Sequence, residues 1–202
     1  MRTSGRRSGQ RFDADHRVTT EALIFLGDLD PALVGPNVRY ATHYEPTSVA
    51  DFEELMNAVA TDYPNTTFID IGSGMGRAVL LAARRPFKQV IGIEISPALH
   101  EVALENRRSW SDARQQCADI RLARADACTF PFPAGSLLLY LFNPFHGPAF
   151  ARFLKKVLAG NGVAEVILCY HTPVERSAIE ATGAFELLKD LGFGVIYRLT
   201  GL

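Results

Sequence analysis

The stretch that decides the fold is Thr67-Phe68-Ile69-Asp70-Ile71-Gly72-Ser73-Gly74-Met75-Gly76-Arg77, which changes character halfway along. Its first part is apolar and β-branched around one acid, as in a buried strand. The alternating glycines predict a tight turn, and residues 78–83 favour a helix. A strand, a glycine turn and a helix in this order direct backbone N–H groups and a helix N-terminus towards a ligand.

The spacing of the glycines limits the kind of ligand. A dinucleotide-binding turn has the pattern G-x-G-x-x-G, and Arg77 occupies the place of its third glycine. This chain has Asp70-x-Gly72-x-Gly74-x-Gly76 instead, with an acid inside the strand end. Asp70 would repel a pyrophosphate and attract a cationic amino group. A strained turn without a ligand is the alternative interpretation.

A second acid closes the next predicted strand, residues 90–95. Glu94 follows Asp70 by 24 residues (94 − 70). An acid about 20 residues after such a turn is placed to accept hydrogen bonds from both hydroxyls of a ribose. Ser96 and Pro97 predict the N-cap and first residue of a helix, so Glu94 could instead cap that helix.

These features resemble the first two motifs of the class I S-adenosylmethionine (SAM)-dependent methyltransferases, over roughly residues 40–200. The resemblance implies a doubly wound α/β fold. Its mostly parallel seven-stranded sheet would have the order 3-2-1-4-5-7-6, with strand 7 antiparallel and helices on both faces. It also implies SAM as cofactor and S-adenosylhomocysteine as product. The predicted cofactor-binding residues are Tyr44, Thr47, Asp70, Gly72, Ser73, Gly74, Gly76, Glu94, Ile95, Asp126, Ala127 and Asn143.

Asp126 follows the third predicted strand, residues 120–125. In the methyltransferase pattern an acid at this place hydrogen-bonds the amino group of adenine. An aspartate at a strand end is also a common turn residue, and that interpretation stays open.

The fourth predicted strand, residues 137–142, ends in Asn143-Pro144-Phe145. Ligands of open parallel sheets lie beyond the carboxyl ends of the strands, at the switch point, so we expect the methyl acceptor here. The side chain of Asn143 and the carbonyl of Pro144 could accept hydrogen bonds from an amine, and Phe145 could offer a cation–π face. With Tyr44, these are the predicted catalytic residues. An ordinary strand-to-helix turn is the alternative.

A weaker resemblance points to Dot1-like and related lysine methyltransferases. Tyr44 and Thr47 match the ends of their Tyr-Gly-Glu-Thr loop, and Asn143 and Phe145 match the ends of their Asn-Asn-Phe. The inner positions differ, since Glu45-Pro46 and Pro144 stand there. The expected acceptor is a nucleophilic nitrogen or oxygen of a protein lysine or a small molecule.

Two other classes stay open. A nucleic-acid amino-methyltransferase would carry Asn-Pro-Pro-aromatic in the acceptor loop, whereas this chain has one proline and an earlier aromatic residue. The net charge of −1 also argues against a nucleic-acid partner, because polyanion binders are basic. A non-catalytic SAM-binding regulator would keep the glycine turn and lose the acceptor loop.

The 202 residues suit one core, with residues 1–39 as tail and cover and residues 40–202 as the methyltransferase domain. Residues 1–10 are basic and lack periodicity, which indicates a frayed terminus or else a nucleic-acid arm. Short helical or irregular pieces are expected over residues 12–39. A helix capped by Thr47-Ser48 should follow, with an apolar face at Val49, Phe52, Leu55, Met56 and Val59.

The remaining composition addresses compartment, metals and membranes. The three cysteines are widely spaced without a C-x-x-C, which is typical of reduced thiols in a cytoplasmic protein. The five histidines form no H-x-x-x-H pair, so no metal is expected. No apolar run reaches the ~18 residues that span a bilayer, so no membrane partner is expected.

Overall fold

The computed structural model describes residues 2–25, 35–160 and 162–200, with backbone alone for residues 2–8. The strands are β1 Thr66–Ile71, β2 Gln89–Glu94, β3 Ile120–Arg124, β4 Gly135–Phe142, β5 Val163–His171, β6 Phe185–Asp190 and β7 Gly194–Leu199. The α-helices are α1 Arg2–His16, α2 Val49–Ala58, α3 Arg77–Ala82, α4 Pro97–Ser109, α5 Gly147–Leu158 and α6 Arg176–Glu180. Two 3-10 helices span Pro36–Tyr40 and Tyr63–Asn65.

The strands form one sheet in the order β3-β2-β1-β4-β5-β7-β6. The first five strands pair in parallel, and β7 runs antiparallel to both β5 and β6. The predicted fold class, strand order and antiparallel seventh strand are therefore confirmed. The strand order reverses between β1 and β4, so the carboxyl ends of these two strands flank the switch point.

Apolar layers cover both faces of the central strands. On one face Phe52 of α2 packs edge-on against Phe68 of β1 and Tyr140 of β4. On the other, Phe150 and Phe153 of α5 belong to the cluster that includes Ile69 and Leu139. Because both faces are covered, every residue of β1 is buried, Asp70 included, which explains the unbroken apolar run in its sequence.

The predicted N-caps are confirmed. The hydroxyl of Ser48 accepts a hydrogen bond from the Asp51 N–H at 3.3 Å and begins α2. The hydroxyl of Ser96 does the same for the Leu99 N–H at 3.4 Å and begins α4. These caps fix the directions in which α2 and α4 leave the carboxyl edge of the sheet.

The N-terminus differs from the expectation of a frayed tail or nucleic-acid arm, because residues 2–16 form α1. Glycine and serine make this a poor helix by propensity. Tertiary packing compensates for this low propensity. The buried ring of Phe12 lies 5.8 Å from the ring of Trp110, and the Arg77 guanidinium lies 5.3 Å from the Phe12 ring. The part of the cover expected at residues 26–34 lies outside the described residues. Within the described ranges, no helix is long and apolar enough to cross a membrane.

Candidate active site

A cavity lies at the carboxyl ends of the parallel strands, between the sheet and the segment before α2. The predicted site residues that line it are Tyr44, Thr47, Asp70, Gly72, Ser73, Glu94, Ile95, Asp126, Ala127, Pro144 and Phe145. Gly74, Gly76 and Asn143 are not among the lining residues. Eleven of the predicted residues, separated by up to 101 positions (145 − 44), thus meet at one place.

The glycine turn has the backbone conformation that only glycine adopts readily. Gly72, Gly74 and Gly76 have φ of 77°, 53° and 88°. A Cβ on Gly72 would lie 2.6 Å from the Cβ of Pro144, and one on Gly74 would lie 2.2 Å from the Tyr44 ring. Two side chains of this chain therefore pack directly on the turn.

Asp70 is a fully buried acid whose pKa is raised well above its ordinary value by burial and by the neighbouring Glu94. Burial disfavours the ionised carboxylate, and a second acid nearby adds to that cost. A cation bound in the cavity would offset both effects. The site is thus chemically suited to a positively charged group beside Asp70.

Glu94 supports the glycine turn and faces the same cavity. One carboxylate oxygen accepts a hydrogen bond from the Gly74 N–H at 2.8 Å, and the other accepts from the Ser96 N–H at 2.7 Å. Burial raises the pKa of Glu94, while these N–H groups lower it. Each oxygen keeps a second lone pair, so the carboxylate can hold the turn and still accept from ligand hydroxyls.

Asp126 lines the cavity after β3 and already has two partners. Its Oδ1 accepts from the Cys128 N–H at 2.8 Å, and its Oδ2 accepts from the side-chain amide of Asn37 at 2.6 Å. Asn37 lies 89 residues earlier in the chain and was missed by sequence reasoning. Its signal was weak, because a single asparagine after Pro36 indicates only a turn.

Residues 40–44 form a cover strip that closes the cavity by main-chain bonds. The Thr42 N–H donates to the Pro144 carbonyl at 3.1 Å, the His146 N–H donates to the Tyr40 carbonyl at 3.0 Å, and Ala41 pairs with Phe145. The other end of the strip pairs with residue 24, and the Tyr44 hydroxyl donates to the Thr20 carbonyl at 2.7 Å.

Asn143 takes the left-handed conformation, with φ of 41°, which asparagine tolerates better than most residues. Its side-chain oxygen lies 3.5 Å from the Tyr170 hydroxyl, and its main-chain carbonyl accepts from the Thr42 hydroxyl at 2.5 Å. The side chain is thus directed to β5 and away from the cavity lining. A direct role in catalysis stays a prediction.

Arg77, which sequence reasoning used only to exclude a dinucleotide, holds the cover in place. Its Nε donates to the Thr20 hydroxyl at 2.6 Å, and its Nη2 lies 2.9 Å from Glu21 and 3.3 Å from Asp13. The guanidinium is buried and binds the segment after α1 to the first residue of α3.

Comparison with solved structures gives the same architecture. A candidate RNA methyltransferase from Pyrococcus horikoshii is 17% identical, with a TM-score of 0.57 over 89% of this chain and 93% of that one. A predicted N6-adenine-specific DNA methylase from Listeria monocytogenes is 12% identical, with a TM-score of 0.58 over 78% of this chain and 52% of that one. The 23S rRNA methyltransferase ErmE is 16% identical, with a TM-score of 0.51 over 76% and 67%. At these identities the likeness concerns the fold.

Sequence comparison adds a match to a family model. No curated protein matches the chain, but residues 68–161 match a family model described as a methyltransferase domain. That match begins in β1 and includes the glycine turn, Glu94, Asp126 and the loop after β4. Together with the strand order of the class I methyltransferase fold, the match indicates a methyltransferase domain over residues 68–161.

Proposed function

We propose that the chain moves the methyl group of SAM to an amine nitrogen of its acceptor, either a protein lysine or a small-molecule amine. The observation that carries the proposal is a single cavity that combines the three strand-end acids with the aromatic side chains of Tyr44, Phe142 and Phe145. Acids suit the polar parts of the cofactor, and aromatic rings suit a cationic group or an amine that approaches it.

The residues present fit SAM. Asp70 carries an unfavourable buried charge that the ammonium group of the methionine part would compensate. Glu94 has spare lone pairs for the ribose hydroxyls, and Asp126 has them for the adenine amino group. The backbone turn at Gly72 and Ser73 lines the cavity between these acids.

SAM supplies a methyl group that its sulfonium has already activated. The chain therefore has to hold a neutral nitrogen in line with the C–S bond, and such positioning contributes about 7–11 kcal/mol. The nitrogen lone pair forms the C–N bond as the C–S bond breaks, and the released proton goes to water. Phe145 and Phe142 would form the wall against which the acceptor lies, and the Pro144 carbonyl keeps one lone pair for an N–H.

The first experiment identifies the acceptor class. A cell extract is incubated with the protein and methyl-labelled SAM, and then divided for treatment with protease, nuclease or dialysis. We expect label in protease-sensitive material, as methyl-lysine after acid hydrolysis, or in a dialysable amine. Label that only nuclease releases would overturn both proposed acceptors, and label that mild base releases as methanol would overturn transfer to nitrogen.

A matched pair of variants tests the aromatic wall. Phe145→Ala should lower kcat about ten- to thirtyfold, the range of a desolvated cation–π contact, with SAM affinity nearly unchanged. Phe132→Ala is the control, because Phe132 and Phe145 both pack on Phe153 but only Phe145 lines the cavity. Equal losses in both variants would mean that Phe145 acts through the core.

Asn143→Gly separates the two interpretations of Asn143. Glycine tolerates the φ of 41°, so the turn survives while the amide is removed. If the amide orients the acceptor, kcat and kcat/KM should fall together by about two orders of magnitude with unchanged SAM affinity. If the variant turns over at the wild-type rate, Asn143 serves only to form the turn.

A further inference from the structure

A half-buried asparagine from the cover lies beside the acid after β3 within the cavity. Asn37 belongs to the 3-10 helix Pro36–Tyr40, and both Asn37 and Asp126 line the cavity. The Asn37 amide nitrogen lies 2.6 Å from Asp126 Oδ2. This contact joins the N-terminal cover to the predicted adenine end of the site.

The orientation of the Asn37 amide is fixed by its two neighbours. On one side lies the guanidinium of Arg152, which can only donate, so the amide oxygen must face it. On the other side lies the carboxylate of Asp126, which accepts, so the amide NH2 group must face it. A flipped amide would place donor against donor and acceptor against acceptor. Arg152 is itself positioned 5.7 Å from the centre of the Tyr40 ring.

The amide NH2 group has two N–H bonds, and the contacts among the described residues use one of them. The Asp126 carboxylate has about four accepting positions and uses two, for Cys128 and Asn37. The pair therefore presents an acceptor and a donor side by side. Adenine carries the complementary pattern, a 6-amino donor next to a ring-nitrogen acceptor, whereas hypoxanthine carries a 6-keto acceptor next to N1–H.

We propose that Asn37 is a specificity-determining residue that reads the adenine ring together with Asp126. Asp126 accepts from the 6-amino group, and the second N–H of Asn37 donates to the neighbouring ring nitrogen. The inference rests on the proposed function, because it takes the cavity as the binding site for SAM. Arg152 acts as a positioning residue by holding the amide in the reading orientation.

The test measures binding of S-adenosylhomocysteine and of S-inosylhomocysteine, its 6-keto analogue, by calorimetry. We expect the wild-type protein to prefer the adenine compound by at least about tenfold, since a site built to pair with a polar group rejects an analogue that leaves it unpaired. Asn37→Ala should weaken the adenine compound about three- to tenfold, the effect of one hydrogen bond. The same variant should bind the inosine compound with unchanged or higher affinity, so that the ratio of the two affinities becomes smaller.

A matched control separates base reading from a structural role. Asn65→Ala removes the same contact, an amide nitrogen 2.8 Å from Asp62 Oδ2, in the other 3-10 helix and away from the cavity. It should change neither affinity. Arg152→Met should narrow the preference less than Asn37→Ala, because Asp126 alone still orients the amide.

Several outcomes would overturn the inference. If Asn37→Ala weakens both compounds by the same factor, Asn37 only fastens the cover. If it weakens neither, Asn37 does not contact the ligand. If the wild-type protein binds neither compound, the proposed cofactor site itself fails, and that result is distinct from the other two. Thermal melting checks that each variant folds.

Discussion

Two groups of buried charges lie beside the glycine turn, and they are built in opposite ways. In one, Arg77 forms ion pairs with Asp13 and Glu21. In the other, Asp70 and Glu94 face the cavity, and each has a raised pKa because of burial, with Glu94 adding to the effect on Asp70. The described part of the chain places no cation against this second pair within salt-bridge distance.

The difference separates structure from binding. Charges that the fold pairs internally fasten α1 and residues 18–21 to α3, as Arg77 does. Acids that the fold buries without a cationic partner lower the stability of the protein, and such acids are retained where they bind a ligand. Arg84 and Asp112 form another internal ion pair of this kind, with Arg84 Nη2 at 2.8 Å from Asp112 Oδ2. Burial alone would raise the pKa of Asp112, but hydrogen bonds from Arg114 and Arg84 hold it below its ordinary value.

The largest effect is expected on the paired side. Arg77→Met should lower the free energy of unfolding by about 3–5 kcal/mol, because two acids lose their buried partner. Urea unfolding measures this loss. Arg11→Met is the control, since Arg11 lies 3.7 Å from Asp15 in an exposed pair, and it should cost below about 1 kcal/mol. Equal losses in both variants would contradict the contrast between the two groups.

The unpaired side should respond in binding. Asp70→Asn should weaken SAM about ten- to hundredfold, as one charge-assisted hydrogen bond is lost. The same variant should melt at a higher temperature than wild type at neutral pH, because it no longer buries a carboxylate. Calorimetry and thermal melting give the two results. If the variant binds SAM normally or loses stability, Asp70 has a structural role, as Arg77 and its ion-pair partners have.

The pH dependence of binding sharpens this point. A raised pKa means that Asp70 takes up a proton at a higher pH than usual, and its neutral form no longer attracts a cation. SAM affinity should therefore fall on acidification, from a higher pH than an ordinary aspartate would give, by at most about tenfold per pH unit for one proton. Asp70→Asn should remove most of the slope. An equally steep slope in the variant would exclude Asp70 as its source.

The sequence predicted the acids of the unpaired side because their signals are local. Asp70 and Glu94 each follow an apolar run, and Asp126 follows the predicted strand of residues 120–125. The carboxyl ends of parallel strands meet at one edge. The residues of the cover gave no such signal. Asn37 reaches Asp126 across 89 residues and Arg77 reaches Glu21 across 56, and such contacts depend on tertiary packing. For the same reason α1, with its poor helix propensity, was not predicted.

Tyr44 connects the two sides and gives the smallest expected effect. Its ring lies over Gly74, yet its hydroxyl donates to the Thr20 carbonyl at 2.7 Å, beside the Arg77 group. The sequence predicted a catalytic or cofactor-binding role for Tyr44, which stays a prediction, and the bond to Thr20 favours a role of the hydroxyl in fastening the cover. Tyr44→Phe should then lower the free energy of unfolding by about 0.5–1.5 kcal/mol and leave kcat unchanged.

Tyr63→Phe is the control, because the Tyr63 hydroxyl donates to the Met56 carbonyl at 3.2 Å away from the cavity. This variant should lower the free energy of unfolding by a similar amount. A fall in kcat of tenfold or more in Tyr44→Phe alone would show that the hydroxyl contributes to catalysis, and Tyr44 would then act on the ligand as the cavity acids do.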